Sequence, residues 1–264
     1  MSDMASGAGA LTDQAYWDDY WKHLSLPREY RRHAKGFYLN AILDVFDRHL
    51  PNDANLSIAE VGGAPGQYLA YMHKHFGYRV ACVDYSATGC QKTAENFLLL
   101  GVKGEVIQAD IFAGDPIEPR FDIVYSLGLI EHFADRTSVV ERHLRLLKPG
   151  GYLVLGVPNF QGVNGWFMRA LAPAVYAAHH IDAMDLNGWR VFEERLDLRT
   201  LFKGYVGGFE PRIFRRREER RLGNLVPFIL ATALDRVLHR HLGFLRRFNS
   251  PLLSGYAMAV YRRG

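Results

Sequence analysis

Between residues 16 and 50 the apolar positions recur at helical spacing, with Tyr38, Ile42, Val45 and Phe46 on one stripe. Pro51-Asn52-Asp53 breaks that pattern. A different rhythm follows. Short β-branched-rich runs occupy residues 56–61, 79–84, 104–110, 121–126 and 152–157. Helical stretches separate them at 67–76, 88–100 and 137–147, the last ending in Lys148-Pro149-Gly150-Gly151. Alternation of strand and helix predicts an α/β fold, a doubly wound parallel sheet with helices on both faces. In such sheets ligands bind at the carboxyl ends of the strands, where the strand order reverses.

Beyond Val157 the pattern loosens. A segment with Pro158, Gly162, Gly165 and Pro173 reads as an insertion carrying a helix over 165–178. Residues 193–205 read as a helix, with Leu196, Leu201 and Phe202 on one face, and 209–216 and 255–261 as two final strands. The expected organisation is a helical cap at 1–50 and a main domain at 51–264, with substrate-side insertions near 158–192 and 218–254. The small polar residues 1–14 are expected to be disordered or loosely attached.

The first strand ends in EVGGAPG, from Glu60 to Gly66. Glycines at a strand–helix junction permit a tight turn and close approach of a ligand. A dinucleotide fingerprint would place glycines at 62, 64 and 67, but Ala64 and Gln67 stand there. The second strand ends in Asp84-Tyr85, about 20 residues later, where an acid can accept from ribose hydroxyls. Gln108 to Phe112 reads QADIF, and 121–133 reads FDIVYSLGLIEHF.

In this order the motifs resemble the class I S-adenosylmethionine-dependent methyltransferases of small-molecule type, over residues 56–157. The family pattern is an acid followed by three alternate glycines; Glu60, Gly62 and Gly66 match it, and Ala64 departs from it. The resemblance implies a Rossmann-like seven-stranded sheet, mostly parallel with an antiparallel last strand. It implies that Glu60, Gly62, Gly63 and Gly66 wrap the methionine end of S-adenosylmethionine and that Asp84 holds the ribose. Tyr85, Asp110 and Ile111 would meet the adenine, and the backbone of Ser126 and Leu127 the amino group. The aromatic YWDDYW segment, with Tyr16 and Tyr20 four residues apart, would fold over the cofactor or simply pack as an amphipathic helix.

Methyl transfer from a sulfonium is an in-line displacement, in which the protein mainly supplies proximity and alignment. A hydroxyl acceptor also benefits from a base near neutrality. The candidates are His132, at the best position in the motif order, and the pair His179 and His180 in the insertion. Each is also compatible with a structural histidine. Asp182 and Asp185 are too few to predict a metal site.

Composition narrows the picture further. Hydrophobic residues make up 48% of 264, enough for a substantial core, and Cys82 and Cys90 match neither a zinc pattern nor a disulfide framework. No secretory signal and no apolar run near ~20 residues occurs, so a cytoplasmic location is expected. A net charge of +4 does not argue for nucleic acid. The RIFRRREERR run from Arg212 reads as a solvated face, with peripheral membrane contact as the lesser alternative. The expected reaction is methylation of a small-molecule acceptor, on oxygen rather than nitrogen, lipid and sugar acceptors being variants. The sequence does not fix the oligomeric state. A nicotinamide-dependent oxidoreductase and a non-catalytic cofactor-binding protein are the competing readings.

Overall fold

A computed structural model describes residues 9–32, 37–113, 119–209 and 248–264, together with positions 229, 230, 233 and 237. Helices α1 (Gln14–Lys22) and α2 (Phe37–His49) precede the sheet. The chain then alternates through β1 (Ser57–Val61), α3 (Gln67–Phe76), β2 (Arg79–Asp84), α4 (Ala87–Leu100), β3 (Gly104–Gln108), β4 (Phe121–Leu127), α5 (Arg136–Leu146) and β5 (Leu147–Pro158). Helices α6 (Gly162–Leu171), α7 (Pro173–Ala177) and α8 (Arg190–Arg195) lead to β6 (Leu198–Val206), and β7 (Tyr256–Arg263) closes the order.

The strands form one seven-stranded sheet in the order β3-β2-β1-β4-β5-β7-β6. The first five are parallel, and β7 runs antiparallel between β5 and β6. This is the sheet the alternation and the resemblance predict. The order reverses between β1 and β4, so their carboxyl ends splay apart into a crevice.

Both faces of the sheet are covered, and side chains alternate between two cores. Ile58, Val80, Cys82, Ile123 and Tyr125 pack on one face with Ile42, Leu43 and Phe46 of α2 and Leu69 and Met72 of α3. Ala59, Val83, Val124, Leu153 and Leu155 pack on the other with Val140 and Leu144 of α5, Phe167 of α6, and Trp189 and Phe192. Cys82 and Cys90 are buried free thiols. No helix among the described residues is long and apolar enough to cross a membrane.

Three expectations are corrected. Residues 193–205 are not one helix: α8 stops at Arg195, Asp197 turns the chain with φ 51°, and 198–206 is strand β6. The spacing of Leu196, Leu201 and Phe202 fits a helix locally. Pairing with β7, from Leu198–Arg263 to Val206–Tyr256, overrides it. The strand expected at 209–216 lies, from residue 210 on, outside the described residues. The helix expected at 165–178 is two helices, divided where Pro173 cannot continue the first. Residues 10–14 are not loose: Ala10 bridges Phe133, and the Leu11 amide donates to the His132 carbonyl at 2.8 Å. Most of 218–254 lies outside the described residues.

Trp189 is 1% exposed and donates its indole N–H to the Ala183 carbonyl at 2.8 Å, locking the 158–192 segment onto the sheet. Trp189→Ala is expected to cost about 3–5 kcal/mol, the range for truncating a buried aromatic, read from urea unfolding.

Candidate functional site

A chamber of about 380 Å³ opens at the carboxyl ends of β1, β2 and β4, beside the point where the strand order reverses. Its size is within the usual range for small-molecule sites. The floor is the turn after β1. The Gly62 amide donates to the Val83 carbonyl at 2.8 Å, holding the turn against β2. A Cβ at Gly63 would lie 2.7 Å from the Glu60 side chain, so the turn closes tightly over that acid. Gly66 has φ 75°, and a Cβ there would meet the Phe97 ring at 2.6 Å. It lets α3 start and α4 pack close; it does not line the chamber. Gln67, the residue that disfavours a dinucleotide, lines the chamber and donates to the Tyr30 hydroxyl at 2.9 Å.

Two acids anchor the floor. Glu60 is 4% exposed and accepts from the Tyr125 hydroxyl at 2.8 Å. Asp84 accepts from the Ala64 amide at 3.3 Å and from the Ser86 amide at 2.9 Å. Burial pushes the Glu60 carboxyl up to about 8, against the Tyr125 hydrogen bond, and nearby Asp84 adds to the rise. Burial raises Asp84 to about 6, opposed by the Ser86 and Ala64 amides. Tyr85, Asp110 and Ile111 line the next wall, and the Asp110 side chain accepts from the Phe112 amide at 2.8 Å. Leu127 lines the chamber. Ser126 is fully buried behind it and does not.

Helix α1 forms a roof, with Tyr16, Trp17, Tyr20 and Trp21 all facing the chamber. Asp18 ties it down at the N-terminus of α4, accepting from the Ser86 hydroxyl at 2.5 Å and the Thr88 amide at 3.1 Å. Gln14 donates to the Tyr85 carbonyl at 3.1 Å. The aromatic segment therefore covers the floor, as one of its two sequence readings requires.

The far side holds the histidines and a third acid. His132 follows β4 in a short 3₁₀ turn, and its Nδ1 sits 2.7 Å from the Ala178 carbonyl. That partner makes Nδ1 the donor and leaves Nε2 as the basic nitrogen. Burial pulls His132 down to about 4, with His179 adding to the shift and the Ala178 carbonyl opposing it. His179 lines the same wall, its ring centroid 4.5 Å from that of His132, and its Nδ1 is 2.6 Å from the Val175 carbonyl. His180 does not line the chamber; its amide donates to the Glu131 carbonyl at 2.8 Å. The short 3₁₀ turn that follows at Ile181–Met184 carries the chain away, so the expected pair is split and only His179 faces inward.

Glu131, Tyr38, Tyr68, Phe160 and Tyr256 also line this side, none of them expected from the sequence as a site residue. Glu131, His132 and His179 bring one donor atom each to within 4.8 Å of one another, a spacing that could hold one cation between them. Spacing could not reveal this trio, because His179 arrives from the far end of an insertion. Among the described residues lining the chamber there is no lysine or arginine.

Residues 59–155 match the family model described as a methyltransferase domain. A ubiquinone biosynthesis O-methyltransferase of Serratia proteamaculans is 30% identical over 127 residues, covering 48% of this chain and 50% of that one. The chain thus spans about half the length of that curated relative. A solved S-adenosylmethionine-dependent methyltransferase of Thiobacillus denitrificans, in complex with S-adenosyl-L-homocysteine, superimposes with a TM-score of 0.57 at 14% identity, covering 96% of this chain and 99% of that one. Coclaurine N-methyltransferase, bound to N-methylheliamine and S-adenosylhomocysteine, gives 0.56 at 15% identity, covering 84% and 72%. Residues 59–155 are thus similar to a methyltransferase domain, and they sit on a fold shared with S-adenosylmethionine-dependent methyltransferases.

The raised carboxyls have a consequence for the ligand-free protein. Glu60 and Glu131 are each lifted to about 8, chiefly by burial, so folding favours their protonated forms. Their contribution to stability is full below the ordinary carboxylate range and is lost as pH rises through 8. His132 and His143, both pulled to about 4, cost stability only below their ordinary value of 6.5. Between pH 6.5 and 8.5 the acids therefore decide the sign. The melting temperature is expected to fall across that window, and to fall less in Glu60→Gln.

Proposed function

We propose that this methyltransferase transfers a methyl group from S-adenosylmethionine to a hydroxyl of a small-molecule metabolite, with His132 as the base. The observation that carries the reading is the chamber's polarity: four acids, two histidines and a ring of aromatics face it, with no cationic side chain among the described lining residues. A cofactor bearing an ammonium and a sulfonium fits such a lining.

Glu60 and the turn at Gly62 and Gly63 would hold the methionine end, and Asp84 the ribose. Asp84 is suited to that task because two backbone amides fix its carboxylate against rotation. Tyr85, Asp110 and Ile111 would flank the adenine, and the amides after Leu127 would face the reacting end. When bound, the cofactor supplies an activated methyl on a neutral leaving group. The remaining work is alignment, exclusion of water and removal of one proton. Tyr16, Trp17, Tyr20 and Trp21 exclude water from above. His132 is neutral at physiological pH because burial opposes its charging, which leaves Nε2 free to accept the hydroxyl proton while making the imidazole a weaker base than one near neutrality. His179 packs beside it and helps fix the ring. Oxygen is favoured over nitrogen because an inward-facing neutral imidazole serves a hydroxyl acceptor, whereas an amine needs only to arrive unprotonated.

Two outcomes test this. Isothermal titration is expected to show binding of S-adenosylmethionine and S-adenosylhomocysteine, weakened at least tenfold by Asp84→Asn through loss of a charge-assisted hydrogen bond of about 1.5–3 kcal/mol. Absence of binding of either at millimolar concentration contradicts the reading. His132→Asn is expected to lower kcat for a phenolic acceptor by about 10²–10⁴-fold with cofactor affinity unchanged. An unchanged kcat would remove His132 as base.

A further inference from the structure

Glu131 is fully buried, yet neither carboxylate oxygen has a hydrogen-bond partner. Its backbone is fixed on both sides: the 3₁₀ turn at Ile130–His132 carries it, and its carbonyl accepts from the His180 amide at 2.8 Å. The side chain lines the chamber. A buried carboxyl left without partners is costly unless something else completes its hydrogen bonds. Nothing in the proposed cofactor set requires it, since Glu60 and Asp84 occupy the floor.

The space in front of Glu131 is defined by a missing side chain. Gly128, at the end of β4, has φ 81° and lines the chamber; a Cβ placed there would lie 3.5 Å from Glu131 Oε1 and 3.9 Å from the Tyr256 hydroxyl oxygen. An open position therefore lies between a carboxyl and a phenol, on the strand end where the transferred methyl would arrive. Tyr38 and Tyr256 are close enough to feel the Glu131 charge, which raises both of their hydroxyls further. Aromatic rings beside an acid, with no lysine or arginine among the described lining residues, attract a hydrogen-bond donor or a cation and repel an anion.

We propose that Glu131 is the acceptor-recognition group, and that the acceptor presents to it a hydrogen-bond-donating end that is uncharged or cationic, a hydroxyl or an amine, and not a carboxylate or phosphate. The proposal rests on reading the chamber as the methyl-transfer site. The donor O–H or N–H completes one lone pair of Glu131 over Gly128, with the Tyr256 hydroxyl on its other side. His132 then reaches the same group from the adjoining position, within the trio that already lies inside 4.8 Å. An anionic end would enter a chamber that already holds Glu60, Asp84, Asp110 and Glu131 without a compensating cation from the described residues.

The test uses four probes that share one ring, so that aromatic packing largely cancels: phenol, benzylamine, benzoate and phenyl phosphate. Their binding to the full chain saturated with S-adenosylhomocysteine is read by saturation-transfer NMR. Phenol and benzylamine are expected to bind at least tenfold tighter than the two anions. Glu131→Gln, which keeps the shape and removes the carboxylate that a bound cation would stabilise, is expected to weaken benzylamine at least tenfold and to narrow the gap to benzoate. Should Glu131→Gln fail to fold, Glu131→Asp, which retracts the carboxylate from Gly128, is expected to weaken both donors. Benzoate or phenyl phosphate binding as tightly as benzylamine, a ranking unchanged in the variant that folds, or no binding of any probe would each overturn the proposal. Failure of S-adenosylhomocysteine itself to bind the wild type would mark instead the failure of the cofactor reading.

Discussion

The carboxylate of Asp84 accepts from the amides of Ala64 and Ser86, and these bonds join the turn after β1 to the end of β2. Both strands reach that point because of the parallel register between them, which runs from Ser57–Arg79 to Val61–Val83. Once Asp84 is fixed, Ser86 caps α4 through the Gly89 amide, and its hydroxyl donates to Asp18 of α1. One side chain thus links the floor of the chamber, the start of a helix and, through Ser86, the roof. Loosening it would release all three.

The same arrangement concentrates negative charge. Glu60, Asp84 and Glu131 are almost wholly buried, and the described residues place no lysine or arginine against the chamber. Without a ligand this is unfavourable, and the carboxyls respond by holding protons well above their ordinary range. Such a cluster is intelligible as a preformed complement to positive charge. The aromatic roof serves the same end, because ring faces stabilise a cation while excluding water. Stability of the empty fold is thereby exchanged for complementarity to a ligand.

Much of this was legible in the sequence, for a physical reason. Strands buried on both faces read as continuous apolar runs, and glycine turns and strand-end acids are local, so β1, β2, β4 and β5 and Glu60, Asp84 and Asp110 were visible. Segments whose structure depends on distant partners were not. Strand β6 reads as a helix until β7 supplies its hydrogen bonds. Gly66 matched the motif, yet its conformation serves the turn and the packing on Phe97. His179 and His180 are adjacent in sequence, and only the turn between α7 and the next 3₁₀ segment decides which faces inward. Glu131 lay inside a recognised motif, but its importance comes from what it lacks, and a missing hydrogen-bond partner cannot be read from a linear pattern.

The central claim is that the buried carboxyls await a cationic cofactor. Calorimetric titration with S-adenosylmethionine at pH 7, repeated in buffers of different ionisation enthalpy, counts the protons exchanged on binding. With Glu60 lifted to about 8 in the empty chamber, a bound cation should drive its proton off, so net proton release is expected. Binding with net proton uptake, or no binding, would contradict the account.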